Sequence, residues 1–202
     1  METLSRLTEA RLIPLLRPTK PELTLPLLAA LCSGGVCAAE FSMSVPFTPD
    51  AIRSGSRLFP DLILGAGDVT DVDAARTAIR SGAHYLSSPG YSPVIAALCQ
   101  EQEVLYLPQC ISPSELLEVK QSKLPAFGLF APHLWGSERL IAELSSAFPG
   151  LVAIACRVPH TDLESMLQLS QISACTVTGL PIESPQELAV ACEALSRLTA
   201  QL

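Results

Sequence analysis

Leu62-Ile63-Leu64-Gly65, then Asp71-Val72-Asp73-Ala74-Ala75-Arg76-Thr77-Ala78-Ile79-Arg80-Ser81, then Gly82, then Tyr85-Leu86-Ser87 is the stretch on which the fold turns. The first run is short, apolar and uninterrupted, as a strand covered on both faces must be. In the second, Val72, Ala75 and Ile79 recur at helical spacing, which makes an amphipathic helix. Gly82 follows at the place where a helix C-cap needs a left-handed residue. The third run is a strand again. Strand, helix, glycine turn and strand within 26 residues form one β/α unit with parallel strands.

The same unit repeats outward in both directions. Candidate strands are Leu12–Leu16, Val36–Ser42, Leu62–Gly65, Tyr85–Ser87, Val104–Leu107, Ala126–Phe130, Leu151–Cys156 and Cys175–Val177. Amphipathic segments between them include Asp71–Ser81, Pro93–Gln102, Ser112–Lys120, a segment from residue 137 to Ala147, Asp162–Leu169 and Ser184–Gln201. Ser33-Gly34-Gly35 is a second helix-ending turn. Ser112-Pro113-Ser114-Glu115 and Ser184-Pro185-Gln186-Glu187 are helix starts with an N-cap serine and proline at the first position, and Glu115 closes a capping box. Eight such units in 202 residues predict a single (β/α)8 barrel domain over residues 1–202, with an open doubly wound sheet as the alternative. No Gly-x-Gly-x-x-Gly or Walker A pattern is present.

Composition narrows the class. Hydrophobic residues make up 49% and charged residues 16%, enough for a large core and too little charge to cover a monomer's surface, so apolar contacts between subunits are expected. The net charge of −7 argues against nucleic acid as a partner. The uncharged stretch Leu23–Ala39 is interrupted by Pro26, Gly34 and Gly35 and reads as helix, turn and buried strand rather than a membrane span. No secretory pattern opens the chain. Seven cysteines at irregular spacing, without a Cys-x-x-Cys pair, read as buried free thiols of a cytoplasmic protein.

Five local patterns, in order, resemble the family of 2-keto-3-deoxy-6-phosphogluconate (KDPG) and 4-hydroxy-2-oxoglutarate aldolases. They are Ile13-Pro14-Leu15-Leu16-Arg17, Gly34-Gly35-Val36-Cys37-Ala38-Ala39-Glu40, Gly65-Ala66-Gly67-Asp68-Val69, Gly82 through Gly90, and Pro108 through Glu115. Beyond Glu115 the match fades. The resemblance implies a trimeric barrel that acts as a carbon-carbon lyase on 2-oxo acids through a lysine Schiff base, with Glu40 moving protons. The lysine position carries over to Gly128, in Gly128-Leu129-Phe130-Ala131-Pro132. The three lysines, Lys20, Lys120 and Lys123, fall on no candidate strand. The substrate-holding arginine of the second strand becomes Ser44, and the third-strand threonine becomes Asp68. Where the family has Gly-Gly phosphate loops, this chain has Arg157-Val158-Pro159-His160 and Thr178-Gly179-Leu180-Pro181, and proline has no amide to offer a phosphate.

A barrel's site lies at the C-terminal ends of its strands. The polar residues expected there are Arg17, Glu40, Asp68, Ser88, Gln109, Cys110, His133, Arg157, His160 and Thr178. Glu40 is the candidate catalytic residue; it is alternatively the buried partner of Arg17. Arg17, Asp68, Ser88, Arg157 and Thr178 are the candidate ligand-binding set, with Arg17 a carboxylate clamp or a partner of Glu40 or Asp68, and Arg157 a second clamp or a solvated loop residue. Glu40, Asp68, His133 and His160 are of the right types for a divalent metal, without any supporting local spacing; otherwise no cofactor is implied. Three functions follow as expectations. The first is a small unphosphorylated 2-oxo acid or dicarboxylate bound without Schiff-base chemistry. The second is a non-catalytic binding or scaffold barrel. The third is an active aldolase using a metal or an unexpected lysine.

Overall fold

The computed structural model describes residues 2–135 and 138–202. Eight parallel strands, β1 (Leu12–Leu16), β2 (Ala38–Ser42), β3 (Ile63–Gly67), β4 (Tyr85–Ser88), β5 (Leu105–Cys110), β6 (Ala126–Phe130), β7 (Val152–Pro159) and β8 (Ile172–Thr178), pair in sequence order. The ring closes where β1 pairs with β8, Leu12 opposite Cys175 and Pro14 opposite Val177. That pairing excludes the open-sheet alternative. Helices α2 (Thr24–Ser33), α3 (Thr48–Leu58), α4 (Val72–Arg80), α5 (Pro93–Glu101), α6 (Pro113–Gln121), α7 (Glu138–Ala147), α8 (Leu163–Leu167) and α9 (Pro185–Thr199) follow the strands. The expected helix from residue 137 begins at Glu138 among the described residues, and position 137 itself lies outside them.

The helix starts form as their residue types dictate. Asp71 accepts the Ala74 amide, and Ser112 and Glu115 cap one another's backbone. Strand alternation then splits the core in two. Leu16, Phe41, Leu64, Leu86, Phe127, Leu129 and Val177 face outward against the helices. Ile13, Ala38, Ile63, Tyr85, Leu107, Ala126, Ile154, Cys156 and Ala174 face inward and fill the barrel. The Tyr85 ring lies over Gly65, where a Cβ would come within 2.1 Å of it.

Several expectations need correcting. A first helix, α1 (Glu2–Ala10), was not anticipated. It drives the fully buried Leu7 into the N-terminal end of the barrel interior and so closes the base. β7 does not stop at Cys156 but runs on through Arg157 to Pro159. β5 continues to Cys110, and β8 begins at Ile172, before the expected Cys175. Five cysteines are buried, but Cys32, in the last turn of α2, and Cys37, just after the Gly34-Gly35 turn, are exposed. Among the described residues no helix is long and apolar enough to cross a membrane.

Leu7→Ala should cost about 3 kcal/mol in urea unfolding at unchanged m-value, since a buried leucine leaves a cavity at the barrel base. A cost near zero would mean that α1 does not close the barrel.

Candidate active site at the barrel mouth

Period-two alternation decides which polar side chains enter the barrel. Glu40 and Ser42 follow Ala38 on the inward face of β2, Ser87 follows Tyr85 on β4, Gln109 follows Leu107 on β5, and Thr176 and Thr178 follow Ala174 on β8. Ser88 has the opposite parity. Its hydroxyl turns to the Tyr106 hydroxyl at 2.5 Å among the outer residues, so it does not join the mouth and Ser87 stands there instead. Cys110 also points outward into the helix layer.

Arg17 follows the last residue of β1, and Asp68 follows the last residue of β3 with φ +57. Arg157 has φ +61 and sits in the register shift between Ala155 and Val158 where β7 pairs with β8. This is a bulge, which re-aims a side chain that the regular pleat would send elsewhere. The Arg157 amide, released from the ladder, donates to Thr176 Oγ1 at 2.9 Å. Arg157 is therefore no solvated loop residue.

These three residues meet. Asp68 takes Arg17 on Oδ2 at 2.8 Å and Arg157 on Oδ1. The Ser42 hydroxyl also donates to Asp68 Oδ2, and Ser44 Oγ lies 2.6 Å from Ser42 Oγ. Arg157 is fixed further by Gln109, whose Oε1 accepts from Nε at 3.1 Å, and by the Phe130 ring, whose centroid is 5.1 Å from the guanidinium carbon. Gln109 Nε2 reaches Ser87 Oγ at 3.5 Å. Burial pushes the Asp68 carboxyl up, but the Ser42 and Arg17 hydrogen bonds and the two arginine charges outweigh it and hold it below its ordinary range.

Glu40 lies beneath this cluster and is 2% exposed. Its Oε1 rests against Gly67, where a Cβ would come within 2.2 Å, so only glycine admits the carboxyl there. Burial pushes its pKa from 4.5 up to about 7; the Asp68 charge adds to this, while the Ser87 and Tyr85 hydroxyls and the Arg157 charge oppose it. Those hydroxyls stand close enough to favour the carboxylate, yet neither Glu40 Oε2 nor Tyr85 Oη has a partner in hydrogen-bonding geometry. The expected Arg17–Glu40 pair is not formed, because Asp68 takes Arg17 instead.

The position on β6 opposite Gln109 is Gly128. A Cβ there would lie 2.7 Å from Cys156 Sγ and 2.9 Å from Gln109 Cγ, so neighbouring side chains fill the space that a residue 128 side chain would need. Lys20, Lys120 and Lys123 are all exposed, and none stands on a strand.

The remaining candidates sit on the rim. Thr178 Oγ1 donates to Val158 O at 3.4 Å. His133 follows β6 and lines a cleft of about 260 Å³ with Glu138, Asp162 and Ser165. The His160 ring packs against Gly179. Among the described residues no group of three or more His, Cys, Asp or Glu side chains is placed to hold a metal ion, so Glu40, Asp68, His133 and His160 are not brought together as ligands. Trp135 donates its indole N–H to Phe130 O at 3.1 Å and packs against the outer core.

A family model described as "Aldolase: KDPG and KHG aldolase" matches residues 3–182. The 2-dehydro-3-deoxy-phosphogluconate aldolase of Pseudomonas aeruginosa is 30% identical over 151 residues, 75% of this chain and 68% of that one. The KHG/KDPG aldolase of Escherichia coli K12 is 26% identical over 144 residues, 71% and 68% of the two chains. Among solved structures, the 4-hydroxy-2-oxoglutarate aldolase/2-deydro-3-deoxyphosphogluconate aldolase from TTHB1 superposes with TM-score 0.85 at 26% identity, covering 98% and 99% of the chains. The KDPG aldolase of Legionella pneumophila shares the fold with TM-score 0.89 at 23% identity, over 96% and 98%.

The Glu40 carboxyl carries a sign for stability against pH. The unfolded chain loses this proton near 4.5 and the folded chain only near 7, so native stability falls as pH rises through that window. Glu40→Gln removes the effect. The stability gap between variant and parent in urea unfolding should widen in the variant's favour by roughly 2 kcal/mol between pH 5 and pH 8. A gap independent of pH would mean that Glu40 titrates normally.

Proposed function

Because the chain belongs to the KDPG and KHG aldolase family, we propose that its barrel mouth binds a small unphosphorylated 2-oxo acid or dicarboxylate and does not form a Schiff base with it. The observation that carries this reading is the convergence of Arg17 and Arg157 on one carboxylate, directly above a buried Glu40. A guanidinium edge is the group best suited to a planar carboxylate. Arg17, the more exposed of the two arginines, is the one placed to hold the ligand's carboxylate.

Glu40, poised near neutrality, is proposed as the group that takes or gives a proton at the bound oxo acid. Ser42, Ser87 and Thr178 complete the polar lining in this reading. Schiff-base formation needs an amine at the carbonyl carbon. The position that the resemblance assigns to that lysine is Gly128, and its side-chain space is taken by Cys156 and Gln109. A phosphoryl group would need converging free amides. Pro159 and Pro181 offer none, and Pro159 ends a strand rather than opening a glycine loop.

The same reading makes the protein a cytoplasmic homotrimer. Exposed apolar side chains such as Leu58, Val94 and Leu134 support contact between subunits.

Pyruvate or oxaloacetate at a hundred times its Kd should stabilise the protein by about 2.7 kcal/mol, seen as a rise in Tm. Arg17→Ala should abolish the rise, and KDPG should produce none. Borohydride added with pyruvate should leave the protein mass unchanged. A reduced pyruvate adduct on any lysine would overturn the chemistry proposed, and silence from every oxo acid would overturn the ligand.

A further inference from the structure

We infer that Asp68 sets the charge of the ligand that the mouth accepts, selecting singly charged 2-oxo acids over dicarboxylates and phosphate esters. This rests on the reading of the mouth as an oxo-acid site and narrows it.

The argument begins with a charge count. Two cations, Arg17 and Arg157, point into the mouth, and Asp68 gives one carboxylate oxygen to each. One positive charge is left over. It is not spread evenly, because the side chain of Arg17 is 38% exposed against 22% for Arg157 and 16% for Asp68. The open edge of the cluster is therefore a guanidinium. Arg17 meets Asp68 through a single amino group and bonds no other side chain among the described residues. The rest of its fork is available to one carboxylate. Arg157 is already committed to Asp68, Gln109 and the Phe130 ring.

One ligand carboxylate brings the mouth to two cations and two anions. A second ligand charge finds both guanidiniums of the cluster already committed and faces Asp68 at close range, with the Glu40 carboxyl beneath. In a half-buried site such repulsion is weakly screened.

Asp68 is also built to stay. Its left-handed backbone lies between two backbone hydrogen bonds, Met43 N–H to Gly67 O at 2.8 Å and Val69 N–H to Ser87 O at 3.0 Å. The Ser42 hydroxyl holds its carboxylate from a third side. A ligand therefore meets Asp68 as a fixed charge rather than displacing it.

The test compares pyruvate with oxaloacetate by calorimetric titration at one ionic strength, in the parent chain, Asp68→Asn and Asp68→Gly. Both replacements tolerate positive φ, so the backbone does not force unfolding, and two variants guard against loss of one. The ratio of the two dissociation constants is the readout, because it cancels any general loosening of the site. The parent should prefer pyruvate, and both variants should shift the ratio toward oxaloacetate by about tenfold or more, the effect of one unit charge in a partly desolvated site. A parent that binds pyruvate with a ratio unchanged in both variants overturns the role of Asp68 and leaves the oxo-acid site standing. No binding of either acid by any of the three proteins overturns the reading of the mouth, and this inference with it.

Discussion

The carboxylate of Asp68, held between Arg17 and Arg157, is the contact on which the mouth of this barrel depends. It joins the ends of β1, β3 and β7, which the backbone ladder alone does not bring together. Each member is costly by itself. Two guanidiniums at close range repel, a half-buried carboxylate loses water, and two of the three residues hold a left-handed backbone. The cluster persists because each cost is offset by a neighbour. Ser42 supplies a hydroxyl to Asp68, Thr176 takes the amide that the β7 bulge releases, and Gln109 and Phe130 fix the plane of Arg157. Removing one charge would leave the others uncompensated, which is why the three residues are best understood as a unit.

That unit separates the chemistry of two acids. Asp68 and Glu40 are both carboxylic acids at one end of the barrel, yet the first is held below its ordinary range and the second is pushed up to about 7. The difference is one of partners rather than of depth alone. Asp68 has two arginines and a hydroxyl in bonding geometry, and Glu40 Oε2 has none. Asp68 takes both guanidiniums into hydrogen bonds, and the Arg157 charge opposes burial at Glu40 only weakly. A group poised near neutrality is thus produced first by burial, with the Asp68 charge adding to it.

How far the sequence disclosed this follows the same physics. The barrel was readable because its signals are local: uninterrupted apolar runs, helical spacing, capping serines and turn glycines each act within a few residues. The placement of Arg17 and Asp68 just past β1 and β3, and of Glu40 on β2, follows from the same strand signals. For Arg157 the sequence leaves clamp and solvated loop residue both open, because Val158 and Pro159 look like a strand's termination, whereas the strand accommodates an extra residue as a bulge. The bulge is stabilised by Thr176, nineteen positions away, and no local pattern announces it. Ser88 stands among the expected mouth residues because the sequence alone carries no anchored register. Counting by twos from the inward Tyr85 would have settled it, but only the closed ring shows that Tyr85 points inward. The missed helix α1 has a simpler cause, for its one buried side chain, Leu7, earns its place only once a barrel base exists to be closed.

In the proposed reading, the departure from Schiff-base chemistry involves more than the one position Gly128. A glycine facing the interior of a barrel would ordinarily leave a void, and voids are unfavourable. Here Cys156 from β7 and Gln109 from β5 fill the space, and Gln109 also bonds Arg157 and reaches Ser87. The same side chain therefore excludes a residue at position 128 and orients the arginine that binds Asp68. A lysine placed at 128 would have to displace Gln109, and displacing Gln109 would loosen Arg157 and with it the grip on Asp68. In this reading an amine at position 128 and the three-residue ion cluster are competing solutions for one volume, and this chain has adopted the second throughout.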